Sequence, residues 1–139
     1  MTSYDEVKQG AELAPASYPV TRLHLVKYCG ASGDFNVIHW NERIAKAVGL
    51  PNVIAHGMFT MAEVGRYVTD WAGPGAVVVD FGVRFSSMVV VPDDDTGATI
   101  EVSATVEDKL DDHRVVLALT AVSAGEKVLT RARATVRLP

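Results

Sequence analysis

Met58-Phe59-Thr60-Met61-Ala62-Glu63-Val64-Gly65-Arg66-Tyr67-Val68-Thr69-Asp70-Trp71 is the stretch on which the fold class turns. Wound as a helix, it puts Thr60, Glu63, Arg66 and Asp70 along one narrow stripe, while Met58, Phe59, Met61, Ala62, Val64, Val68 and Trp71 cover most of the remaining circumference. The spacing predicts a helix largely enclosed by other elements. Directly after it, from Ala76, the hydrophobic period falls to two: Val77, Val79, Phe81, Val83 and Phe85 share one face, with Asp80, Gly82 and Arg84 on the other. That is a strand with one buried face.

Working outward, Pro92-Asp93-Asp94-Asp95-Thr96-Gly97 reads as a turn, and Ile100, Val102, Ala104 and Val106 then alternate with polar neighbours as a second strand. Asp111-Asp112 reverses the chain into Val115 to Val122, apolar on both faces and so expected at the centre of the sheet. Ala124-Gly125-Glu126 turns it again into Val128 to Leu138. Four consecutive strands on short turns predict an antiparallel meander. Ahead of the long helix two brief ones are expected, one capped by Thr21 and ending near Gly30, one capped by Asn41 and ending at Gly49. A helical front and a stranded back make the class α+β, with one domain over residues 1–139.

Composition narrows the function. With 13 basic against 17 acidic residues, a net charge of −4 and no basic tract, the chain has little motive to bind nucleic acid or an anionic membrane. Residues 1–10 carry Asp5, Glu6 and Lys8 where a signal peptide needs an apolar run, and the one cysteine, Cys29, forms no internal disulfide. A cytoplasmic protein is expected. Hydrophobic residues make up 48% of the chain, enough for a core, and a domain this small gains from pairing with another.

Two polar clusters stand out. In Ser32-Gly33-Asp34-Phe35-Asn36-Val37-Ile38-His39 a carboxylate, an amide and an imidazole share one loop; Asp34 and His39 are an acid/base pair by type. The alternative is that Asp34 and Asn36 only make side-chain turns and His39 only begins a helix. In Ile54-Ala55-His56-Gly57-Met58 a glycine opens the long helix, whose first amides lack intrahelical partners and attract developing negative charge. Here the alternative is that His56 caps the helix and Gly57 serves packing. Cys29 is read as a buried structural thiol, and His24 and His113 as surface residues. Asp34, His39 and His56 have legal metal-ligand types but not the paired spacing of zinc sites, so no metal is expected. Arg131, Arg133 and Arg137 alternate along one face of the last strand, read as solvated.

Together, Tyr28-Cys29-Gly30-Ala31-Ser32-Gly33-Asp34-Phe35-Asn36-Val37-Ile38-His39, then Ala45, then Ile54-Ala55-His56-Gly57-Met58, resemble the MaoC-like (R)-specific enoyl hydratase family, in its order and separation. Within it the chain is most similar to the B-type subunits of actinobacterial 3-hydroxyacyl-ACP dehydratases of the mycolic-acid type. Val37 stands where the family usually has proline. The resemblance implies a hot-dog fold, an antiparallel sheet wrapped around one long helix. It implies that Asp34 and His39 are the catalytic pair, that Asn36 supports them, and that the amide of Gly57, with His56 beside it, binds the thioester oxygen. The implied reaction is reversible hydration of trans-2-enoyl thioesters of acyl carrier protein or coenzyme A to (3R)-3-hydroxyacyl thioesters. The physiological setting would be dehydration in type II fatty-acid elongation. No cofactor is needed, and the expected partner is a second copy or a related hot-dog subunit. Two rivals remain: a hot-dog thioesterase using a carboxylate of the central helix, for which Glu63 is the candidate, and a subunit that needs a second chain for activity.

Overall fold

The computed structural model describes residues 2–139; Met1, the first residue of the expected domain, lies outside the described residues. Five strands form one antiparallel sheet: β1 (Glu12–Val20), β2 (Val77–Phe85), β3 (Ala98–Leu110), β4 (Arg114–Ser123) and β5 (Glu126–Arg137), in the order β1-β3-β4-β5-β2. Three helices precede β2: α1 (Arg22–Ser32), α2 (Glu42–Ala47) and α3 (Gly57–Ala72), with short 3-10 turns at Tyr4–Glu6 and Val37–His39. This is the hot-dog arrangement, a curled sheet with α3 along its inner side.

The centre of the sheet obeys the hydrophobic pattern. Every second residue of β4, from Val115 through Leu117 and Leu119 to Ala121, is buried, and β4 is the middle strand as its apolar faces predict. Hairpins join β3 to β4 at 111–113 and β4 to β5 at Ala124-Gly125, both of whose residues have positive φ (50° and 79°), the twist-matched hairpin turn.

The flanks depart from expectation. Glu12–Val20, within the front half expected to be helical, is strand β1, paired with β3 from Glu12 opposite Thr105 to Val20 opposite Ala98. Pro15 and Pro19 hide it in the sequence, and an edge strand tolerates them because its outer amides need no partner. The expected four-strand meander holds for β3, β4 and β5 only. β2 lies on the far flank and pairs with β5, and the connection 86–97 carries the chain from it across to β3. At that edge the face expected to be buried is largely open, with Val77, Val79 and Phe85 about half-exposed.

α3 runs from Gly57 to Ala72 and buries Phe59, Val64, Tyr67, Val68 and Ala72 against the sheet, each large aliphatic or aromatic side chain worth roughly 1.5–3 kcal/mol. Enclosure is one-sided. Met58, Ala62, Arg66 and Asp70, four residues apart, form an open stripe, and Thr60, expected on the polar stripe, is buried instead. A single sheet covers one side of a helix and leaves the opposite side bare.

Candidate functional site

Local chemistry shapes the loop that carries Asp34. Thr21 caps α1 by accepting from the His24 amide, while the His24 ring accepts from the Thr21 amide at 3.1 Å, so His24 completes a capping box. The helix stops at Gly33, whose φ of 76° is left-handed backbone that suits glycine. Three short bonds then bend the chain: Asp34 N–H to Ser32 Oγ (3.1 Å), Asn36 N–H to Asp34 Oδ1 (3.1 Å) and Ile38 N–H to Asn36 Oδ1 (3.3 Å). The side-chain turns weighed as the alternative reading are therefore present, and Asn36 acts on the loop as the cap of the turn that carries His39. They leave the Asp34 Oδ2 free, on a side chain about half-exposed.

His39 is only 7% exposed. Its Nδ1 lies 2.7 Å from the carbonyl of Ile54, an acceptor, so Nδ1 carries a proton and donates. The lone pair of the neutral ring is then on Nε2, which stands 4.0 Å from Asp34 Oδ2. That gap is too long for a direct hydrogen bond and spaced for one oxygen held between both groups.

His56 lies beneath His39, the two rings stacked with centroids 3.7 Å apart and planes 23° from parallel. At 2% exposure its Nε2 reaches the backbone carbonyl of Asp34 (3.2 Å) and the Cys29 Sγ (3.6 Å). Nδ1 is buried without a partner. Burial pushes the His56 pKa down, against the smaller opposing pull of the Asp34 carbonyl. A neutral ring that donates from Nε2 has no proton on Nδ1, so that nitrogen is not a donor for the thioester oxygen expected at Gly57 and His56. Nor does the ring cap α3: His56 occupies the N-cap position but makes no side-chain capping bond. The amides that open α3 at Gly57 and Met58 therefore have neither intrahelical nor capping partners.

Gly57 is tightly placed. A Cβ there would sit 3.1 Å from the Phe85 ring. A cleft of about 320 Å³ opens beside it, lined by Ile54, Gly57, Thr60, Phe85, Met88 and Val128 among others. Asp34, His39 and His56 hold donor atoms within 4.8 Å of one another. Stacked rings aim their in-plane lone pairs side by side, not at one point, so the set suits proton traffic better than metal ligation.

The other candidates fall elsewhere. Cys29 is buried, its thiol pKa raised by desolvation. His113 is exposed and stacks on Tyr4 (5.0 Å), while Arg131, Arg133 and Arg137 are exposed on the outer face of β5, Arg133 paired with Glu107 at 2.6 Å. Glu63 packs near Arg66 (3.6 Å) with Oε2 buried and no hydrogen bond, away from the Asp34 loop in sequence and in its contacts. Sequence reasoning missed the His39–His56 stack. The available signal was the apolar setting of His56 after Val53, Ile54 and Ala55, which predicts an inward ring.

A model of the MaoC-like domain matches residues 6–128. The chain belongs to the MaoC-like domain family. Among relatives of this MaoC-like chain, a 3-hydroxyacyl-thioester dehydratase X of Mycobacterium tuberculosis is 41% identical over 73 residues, 52% of this chain and 25% of that protein. A solved MaoC-like dehydratase superposes with a TM-score of 0.92 at 37% identity, covering 99% of this chain and 42% of the other. The R-hydratase PhaJ1 of Pseudomonas aeruginosa gives 0.87 at 26% identity, covering 99% and 85%. The MaoC-like chain thus covers less than half of each of the first two, 25% and 42%. Among the described residues no helix is long and apolar enough to cross a membrane.

Proposed function

We propose that this chain catalyses reversible hydration of trans-2-enoyl thioesters to (3R)-3-hydroxyacyl thioesters. The observation that carries the reading is the pairing of Asp34 Oδ2 with His39 Nε2 at 4.0 Å, joined through the stacked His56 to the uncapped start of α3. In the hydrating direction a water oxygen held between the two groups bonds to Cβ and gives up a proton to one of them. Electron density moves onto the thioester oxygen, where the Gly57 amide stabilises the enolate-like charge. A proton delivered to Cα completes the product, and dehydration reverses each step. His39 keeps its Nδ1–H on Ile54 throughout, so proton exchange runs through Nε2. The names of the relatives, dehydratases and an R-hydratase, support the reaction class and the 3R configuration.

The finer assignments are part of the same proposal: dehydration in type II fatty-acid elongation, a B-type subunit role, one domain, and a cytoplasmic setting. The 320 Å³ cleft beside Gly57, lined mostly by apolar side chains, suits an acyl tail. A second hot-dog unit would pair along β2, where Val77, Val79, Phe85 and the nearby Met58 and Met88 lie open to water. The solved dehydratase of which this chain covers 42% has room for such a second unit in one polypeptide.

The test is hydration of crotonyl-CoA and of longer enoyl-CoA and enoyl-ACP substrates, followed by loss of the conjugated enoyl absorbance, with product configuration read by a (3R)-specific dehydrogenase. Release of free thiol without hydration would assign the chain to thioester hydrolysis instead. Activity that appears only on adding another hot-dog subunit would make the partner obligatory.

A further inference from the structure

We propose that His56 is a positioning residue for this reaction, its ring holding the Asp34 backbone and the His39 ring in one fixed geometry. The inference rests on the hydration chemistry above, and assigns its machinery a part outside the reacting groups. Asp34 is otherwise tied down only by its neighbours, through Ser32 and Asn36. Among the described residues, the hydrogen bond from His56 Nε2 is the one that anchors Asp34 to a distant part of the chain, 22 residues away. The same ring is the floor under His39, at 3.7 Å. Because the backbone of His56 is also the N-cap position of α3, one residue links three things: its side chain holds the carboxylate loop and the imidazole, and its main chain opens the helix.

The choice of histidine at this position has a physical cost that packing alone does not explain. Val53, Ala55 and Phe59 beside it in the chain are all buried, and an apolar side chain there would leave no orphaned atom, whereas His56 buries Nδ1 without a partner. What an apolar residue lacks is the donor for the Asp34 carbonyl. Neutrality matters as well. When His39 takes a proton on Nε2 it becomes a cation, and a second cation stacked on its face would oppose that step. Burial keeps the lower ring neutral and leaves His39 alone to cycle. The two stacked rings therefore carry their protons on opposite nitrogens, His56 on Nε2 and His39 on Nδ1.

Long-range 1H–15N spectra of the 15N-histidine-labelled full chain at pH 7.5 read this directly. The expected pair is Nε2–H for His56 and Nδ1–H for His39; a protonated Nδ1 or an imidazolium at His56 would overturn the inference. Kinetics supply the second arm. His56→Phe keeps a ring under His39 without the donor, and His56→Gln keeps an amide donor near the Nε2 position. We expect kcat of His56→Phe to fall by about 30- to 100-fold with KM within about threefold, and His56→Gln to recover to within about fivefold of wild type. A folded His56→Phe with kcat near wild type, or a change confined to KM, would refute the role. If His56→Phe does not fold, the tautomer pair in the wild-type chain decides. A wild-type chain that hydrates no enoyl thioester defeats the reaction but not the tautomer assignment, so the two failures are distinguishable.

Discussion

Replacing Asp34 by asparagine separates chemistry from structure at this site. The carboxylate is 52% exposed, and its one structural bond is accepted by Oδ1 from the Asn36 amide at 3.1 Å, which an asparagine oxygen accepts equally well. The backbone bonds of residue 34, from its amide to Ser32 and from His56 to its carbonyl, do not involve the side chain. Stability should therefore change by no more than about 0.5 kcal/mol. For a domain of this size that is a Tm shift of roughly 2 °C or less. The amide has no basic oxygen to take a proton from water, so turnover should fall by about 10²–10⁴. That loss corresponds to about 2.7–5.5 kcal/mol on the barrier. His39→Ala gives a useful contrast, because its ring is buried, donates to Ile54 at 2.7 Å and stacks on His56. Its removal orphans a carbonyl at a cost of about 1–3 kcal/mol, so lost turnover there comes with a lower Tm. Initial rates with crotonyl-CoA and differential scanning fluorimetry on the same preparations make the comparison. An Asp34→Asn variant within threefold of wild-type kcat would remove the carboxylate from the mechanism, and one that melts more than about 5 °C lower would give it a structural role instead.

Three further outcomes follow from the geometry. Gly57→Ala places a methyl 3.1 Å from the Phe85 ring; that half-exposed ring swings aside at a cost of about 1 kcal/mol, but ring and methyl then crowd the cleft, and kcat/KM should drop at least about tenfold. Unchanged kcat/KM would show that the cleft beside Gly57 is not used. The lowered pKa of His56 means that the unfolded chain binds this proton first: its stabilising contribution is complete above about pH 6.5 and is lost as pH falls below it. Tm should decline from pH 6.5 to 5 more steeply for wild type than for His56→Gln, and parallel profiles would contradict the buried neutral ring. Val79→Lys, on the open β2 edge, should turn a sedimenting dimer into a monomer, and a wild-type chain that already sediments as a monomer would refute pairing along that edge.

The fold was legible where local pattern and tertiary placement agree. α3 was expected over 58–71 and runs Gly57–Ala72; β4 sits at the centre because residues 115–122 are apolar on both faces; Thr21 and Asn41 cap the helices expected of them. It was obscured where placement overrides pattern. β1 carries two prolines that a central strand would not accept, and only its edge position makes them harmless. Strand β2 alternates as if one face were buried, yet pairing with β5 instead of β3 puts it on an open flank, a matter of long-range topology that a period of two does not encode. At the site, residue types pointed to Asp34 and His39, and the stretch 54–58 to the helix mouth. The inward turn of His56 depends on bringing positions 17 apart into ring contact, which the antiparallel bridge between Ile54 and Val90 helps to arrange.

The two outer strands of the sheet are chemically unlike, and this bears on how large an assembly can grow. Pro15 and Pro19 strip two amide donors from β1, and its exposed residues include Glu12 and Ser17, so it makes a poor template for another strand. β2 has no proline and offers valines to water. A sheet adhesive along one margin and blunt along the other closes on itself after a single isologous contact, and has no second margin from which a fibre could propagate.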